Sequence, residues 1–169
     1  MTLMAFIQRI DGIVLAALKV VTIVCFVLLT VLITANVFVR FFPVASLHWF
    51  DEIIELLYAY LVFYGAAALW ITRDHISVGD WIGGTVVKNA RARHAFGAVV
   101  EIMVLVFVLV FFYYSAQLTE RAIDVTNVFA IPKKILYSCM PIAGAVMIVY
   151  SLRNIAVEMA GAVKPAKKG

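Results

Sequence analysis

Long unbroken runs of apolar residues, separated by short stretches where charge gathers, make up the pattern of this chain. A helix rises about 1.5 Å per residue, so about 20 apolar residues cross a hydrocarbon core of about 30 Å. Four runs are long enough. They extend from Gly12 to Val39, from Ile53 to Thr72, from Ala95 to Ala116 and from Ile135 to Leu152. Outer-membrane barrels need short segments of alternating hydrophobicity instead. The pattern therefore predicts an all-α integral membrane protein with four transmembrane helices. They form a single membrane domain over residues 1–169, with a tail over 153–169. The first run is longer than the h-region of a signal peptide and continues past Thr34 and Ala35 into Asn36-Val37-Phe38-Val39, so it reads as a retained helix.

The connections carry patterns of their own. Ser46-Leu47-His48-Trp49-Phe50-Asp51-Glu52 mixes aromatic and acidic residues, as a short interfacial amphipathic helix does, and the second span is expected to continue from it unbroken. Between Arg73 and His94, Ile76, Val78, Trp81 and Ile82 stand among polar residues, which suits a second interfacial segment ending at Gly83-Gly84. Tyr113 and Tyr114 near the end of the third span suit an aromatic belt.

Composition agrees with the pattern and closes other classes. Of 169 residues, 65% are hydrophobic and 14% charged, whereas soluble domains carry about 25% charged residues. Neither a cytosolic globule nor a disordered chain fits. Two cysteines, Cys25 and Cys139, are too few for a disulfide scaffold and read as buried free thiols. The net charge of +4 is spread over loops, which does not suggest nucleic acid. Its distribution sets an orientation. Ten Lys and Arg residues fall on the side shared by the termini and the second loop, and four fall on the other side. Both termini are accordingly expected in the cytoplasm.

Ionisable residues inside a bilayer are costly and face protein or water. Lys19 lies about 10 Å into the first span and Glu101 about 9 Å into the third, counted from the same face at the helical rise. One reading pairs them across the two spans. The other lets Lys19 snorkel to the headgroups while Glu101 turns back towards His94. At the outer face, Arg40 stands near Asp51, Glu52 and Glu55, with Glu52 and Glu55 on one helix face. Such a group suits a salt-bridged cluster or a subunit contact, although Arg40 and Asp51 also suit the headgroup layer. Arg73, His75 and Asp80 follow the second span as a cytoplasmic loop anchor. His75 and His94 lie at similar depth, which keeps open a bis-histidine haem b site in the membrane anchor of a redox complex. A stand-alone transporter is disfavoured by the lack of repeats and matched broken helices. The glycines and prolines, Pro141 among them, are expected to serve packing. No metal-spacing motif, phosphate-binding glycine loop or nucleophile elbow occurs, so no enzyme is expected.

Several of these residues, taken in order, resemble a known family. Arg40, Trp49-Phe50-Asp51-Glu52, Phe63-Tyr64-Gly65-Ala66-Ala67 and Arg73-Asp74-His75-Ile76 with Val78 and Asp80 resemble the small, Q-type (DctQ-like) membrane subunit of tripartite ATP-independent periplasmic (TRAP) transporters. Ile131-Pro132, Tyr137 and Met140-Pro141-Ile142-Ala143-Gly144 are similar to that family's closing segment. The likeness runs from about residue 12 to 155; Gly79 departs from it by separating the His-Ile-x-Val stretch from Asp80.

The resemblance implies a scaffold in the bacterial inner membrane. Such a subunit pairs with a large elevator-type membrane subunit that holds the sodium and substrate sites, so no cofactor is expected on this chain. A periplasmic substrate-binding protein delivers an organic acid of dicarboxylate or sialic acid type. Under this resemblance the cluster of Arg40, Asp51, Glu52 and Glu55 is expected at a subunit contact, and reversing Arg40 to Glu is expected to impair uptake or assembly. Arg121, Asp124, Lys133 and Lys134 are expected to face the delivering protein.

Overall fold

The computed structural model describes residues 3–39, 41, 49–72 and 90–163. Four helices make up almost all of them: α1 (Leu3–Val39), α2 (Trp49–Thr72), α3 (Ala90–Arg121) and α4 (Lys133–Val163). All four are long and apolar enough to cross a membrane, with span hydropathies between 1.6 and 2.7. Among the described residues there is no strand, only an isolated bridge between Val125 and Pro132.

The helices extend beyond the apolar runs. The first begins at Leu3 rather than Gly12, and the third extends to Ala90 and Arg121. The largest difference is at the end of the chain. The segment expected as a tail from 153 stays helical to Val163. Hydropathy marks where a helix leaves hydrocarbon, not where it ends, and Ile155-Ala156-Val157-Glu158-Met159-Ala160 contains good helix formers. The interfacial segment before the second span is seen in part: Trp49-Phe50-Asp51-Glu52 is the first turn of α2, continuous with the span. Residues 42–48 and 73–89 lie outside the described residues, and with them the start of the first expected interfacial segment and most of the second.

Packing follows the small residues. α1 packs on α2, α2 on α4, and α4 on α3, so the order across the layer is α1, α2, α4, α3. Ala67 of α2 and Ala143 of α4 are wholly buried, which is how the central helices approach closely. Gly144 gives room to the rings of Phe111 and Phe112, where an added Cβ would lie 3.4–3.5 Å from them. Leu18, Ala67, Ala68, Val108, Ala143 and Met147 form the core, drawn from all four helices. α4 buries 39% of its span, against 17% or less for each of the others. It is the hub.

The outward faces stay apolar: Ile13, Ile23, Phe26, Val27 and Val31 of α1 and Met103, Phe107 and Val110 of α3 are all exposed. In water such faces would drive aggregation; in a bilayer they meet acyl chains. Threonine hydroxyls in the spans bond to their own helix. Thr22 donates to Leu18 O at 2.8 Å, Thr34 to Thr30 O at 2.7 Å and Thr119 to Ser115 O at 2.8 Å, so none of these donors meets lipid unpaired. Cys25 and Cys139 are both buried free thiols.

Candidate functional site

Polar chemistry collects at the two ends of the layer. One end holds the hairpin between α3 and α4, together with the start of α2. Val125 bridges Pro132, Thr126 N–H donates to Ile131 O at 2.9 Å, and Lys133 N–H donates to Asp124 O at 2.9 Å. Ala130 takes a positive φ of 51°, which turns the chain back, and the Thr126 hydroxyl accepts from Ile131 N–H at 3.1 Å. The hairpin is tied to α2 by one carboxylate. Glu52 accepts from Val128 N–H at 2.7 Å and from Phe129 N–H at 3.2 Å. Trp49 meets the Phe129 ring edge-on at 6.3 Å and stacks on Phe50 at 4.2 Å. Deeper in the layer, the Tyr60 hydroxyl donates to Ile135 O at 3.0 Å and lies 3.3 Å from Ser138 Oγ.

Below the hairpin a mostly apolar cleft is lined by Glu52, Glu55, Leu56, Phe129, Lys133 and Leu136, among others. Glu52 and Glu55 thus share a face, as their spacing requires. Asp51 and Glu55 are exposed, and so are Arg121, Asp124 and Lys134, while Lys133 is half-buried. Arg40 lies outside the described residues, and the proposed four-residue charge cluster with it. Ile123 and Val125 are 87% and 51% exposed on the hairpin.

The opposite end is held by a ladder of side chains, every one of which reaches α4. Tyr150 donates to Asp11 Oδ1 of α1 at 2.8 Å, and Arg153 pairs with Asp11 Oδ2. The Arg153 guanidinium also lies 5.9 Å from the Tyr150 ring centroid. Trp70 Nε1 of α2 donates to the buried Ser151 Oγ at 2.9 Å. His94 Nδ1 of α3 lies 2.7 Å from Glu158 Oε2. Among the described residues no buried side-chain nitrogen or oxygen lacks a partner.

Two expectations fare differently. Lys19 is exposed on α1 and Glu101 half-buried on α3, and among the described residues these two helices do not pack backbone to backbone. The structure does not bring them together, because α2 and α4 stand between their helices. Matching depth along two spans says nothing about whether those spans are neighbours. His94, the second histidine of the haem alternative, engages Glu158; Arg73, His75 and Asp80 lie outside the described residues. No group of three His, Cys, Asp or Glu residues able to hold a metal occurs among the described residues.

Sequence reasoning missed Asp11, Tyr150, Ser151, Arg153 and Glu158. A signal existed for two of them: Asp11 and Arg153 carry opposite charge at the same end of the first and last spans. Glu158 was hidden because it falls in the segment expected as tail. The bond from Glu52 to backbone amides leaves no trace in residue types.

The described residues thus give four membrane-capable helices joined through α4, with a clamped hairpin at one end. No curated protein matches the chain. A family described as tripartite ATP-independent periplasmic transporters, DctQ component, matches residues 29–161. That match covers most of the 169 residues, taking in the end of α1, all of α2 and α3, the hairpin and nearly all of α4. The chain belongs to the DctQ family, and it is a multi-pass membrane component of a TRAP transporter rather than an enzyme.

Proposed function

We propose that this subunit is the fixed frame of a sodium-driven importer of organic acids in the bacterial inner membrane. The family match across residues 29–161 carries the proposal. In this reading a large elevator-type subunit holds sodium and substrate and slides against the layer, while a periplasmic binding protein delivers a dicarboxylate or sialic acid. The geometry suits that division of labour. Every helix is bonded to α4, so the layer resists splaying as a partner moves beside it. The exposed apolar faces of α1 and α3 offer surface to a partner subunit as well as to lipid.

The excess of Lys and Arg on the side of the termini supports a cytoplasmic location for both. The hairpin end then faces the periplasm, where Arg121, Asp124, Lys133 and Lys134 meet the delivering protein. Arg40 with Asp51, Glu52 and Glu55 is assigned to the same outer margin as a subunit contact.

The test is purification of the tagged chain from its native membranes in mild detergent, followed by reconstitution with whatever membrane subunit accompanies it. A large polytopic partner and uptake that needs a sodium gradient plus a periplasmic binding protein are expected. A haem spectrum with a flavin or iron–sulfur partner would overturn the reading.

A further inference from the structure

Glu52 stands in the first turn of α2, where an acid is favoured by the positive end of the helix dipole. Its carboxylate does not stay there. It crosses to the hairpin and takes the N–H groups of Val128 and Phe129, two consecutive amides pointing the same way. The Asn127 N–H and the Thr126 hydroxyl face the same carboxylate. Residues 127–129 form a turn, followed by Ala130 in the left-handed region. Successive amides converging in a turn of this kind make a concavity of positive partial charge, which holds anions.

The anion itself has a definite source. α4 begins with Lys133 and Lys134 and has no acid in its first turn, although cations are disfavoured at that end of a helix. The negative charge for this corner comes from the α2 residues Glu52 and Glu55, which line one cleft with Lys133. Removing Glu52 would leave the converging amides without their carboxylate, beside a cationic helix start.

We infer that residues 126–129 form a carboxylate-binding nest, filled by the chain's own Glu52, and that this occupancy latches the hairpin to α2. The carboxylate is the recognised chemistry. Its planar pair of oxygens gives each of the two adjacent N–H donors an acceptor of its own, whereas a halide ion offers them one shared centre. The inference concerns the chain's own geometry and stands whatever docks on the hairpin.

The experiment uses the full chain in lipid nanodiscs and the rate of tryptic cleavage at the two feet of the hairpin, after Arg121 and after Lys133 or Lys134. A charge-assisted hydrogen bond is worth enough that its loss should open the hairpin, and speed cleavage, by about tenfold or more. Glu52→Ala is expected to show that acceleration, and Asp51→Ala, which removes a neighbouring exposed carboxylate, to cleave as the unaltered chain does. Acetate or formate added to the Glu52→Ala protein is expected to slow cleavage again, whereas chloride at equal ionic strength is not. Should Glu52→Ala fail to fold by circular dichroism, Glu52→Ser, whose short side chain also leaves the nest empty, carries the same comparison. Unchanged cleavage in the variant overturns the latch. Fast cleavage indifferent to acetate and formate overturns the nest.

Discussion

Asp11 offers one carboxylate to two donors on α4, the Tyr150 hydroxyl at 2.8 Å and the Arg153 guanidinium. Hydrogen bonds to a charged group are worth about 1.5–3 kcal/mol. The Arg153 side chain is 52% exposed, so solvent screening draws its share down towards about 1 kcal/mol or less. Asp11→Asn and Tyr150→Phe should each lower the unfolding midpoint of the purified chain, with the double variant losing less than the two single losses combined. Strict additivity in detergent unfolding would show that the two groups do not act together. Glycine positions give the opposite lesson. A methyl group added at the Gly12 Cα would meet nothing within 4 Å, whereas one at Gly65 would meet Thr22 Cγ2 at 3.4 Å. Gly12→Ala should therefore be neutral or stabilising by up to about 1 kcal/mol, since helical glycine costs conformational entropy. A lowered unfolding midpoint for that variant would contradict the open space.

At the scale of elements, α4 decides how the layer holds together. Its packing face is built of small side chains, and Ala143 is wholly buried, as is Ala67 of α2. A larger side chain there has no space to enter. Ala143→Leu or Ala67→Leu should cost about 1–3 kcal/mol by overpacking, read as a lower midpoint, while Ile142→Leu on the exposed face of α4 should change little. Pro141 sits inside α4 and removes one backbone donor, yet the helix runs on through it to Val163. The bonds of Tyr60 to Ile135 O and of Ser138 to Ile135 O tie the turn just before it to α2 and to itself. Helix existence was plain from apolar run length alone. Helix ends were not, because residues 153–163 pass from hydrocarbon into water without a proline to stop the helix.

For the whole molecule, the two ends of the layer are built differently. The Asp11 end is closed by bonds converging on α4. The hairpin end presents exposed Ile123 and Val125 beside Arg121, Lys133 and Lys134. Long-range attraction between exposed cations such as these and an acidic patch on a partner governs encounter rate and fades with salt. Reversing Lys133 and Lys134 to Glu should raise the binding-protein concentration needed for half-maximal uptake by about tenfold at low ionic strength, with the yield of the membrane complex retained. An unchanged requirement would place the docking surface elsewhere. Charge counts made this basic group visible in the sequence. The clamp that presents it was not visible, since main-chain amides are common to nearly every residue.

The sequence by itself determined the class, the number of spans and the family. Crossing hydrocarbon demands about 20 consecutive apolar residues, a constraint written locally along the chain. The order of motif positions from Arg40 to Gly144 carried the resemblance in the same way. Which helices are neighbours was decided only by the tertiary structure. In a bilayer the spans meet lipid tails as apolar as their own side chains, so hydrophobicity does not select partners. Selection falls to the fit of small residues such as Ala67 and Ala143 and to a few polar contacts that form only once the helices lie together. That is why Lys19 and Glu101, matched in depth, are not brought together, while Asp11 and Arg153, 142 residues apart, are.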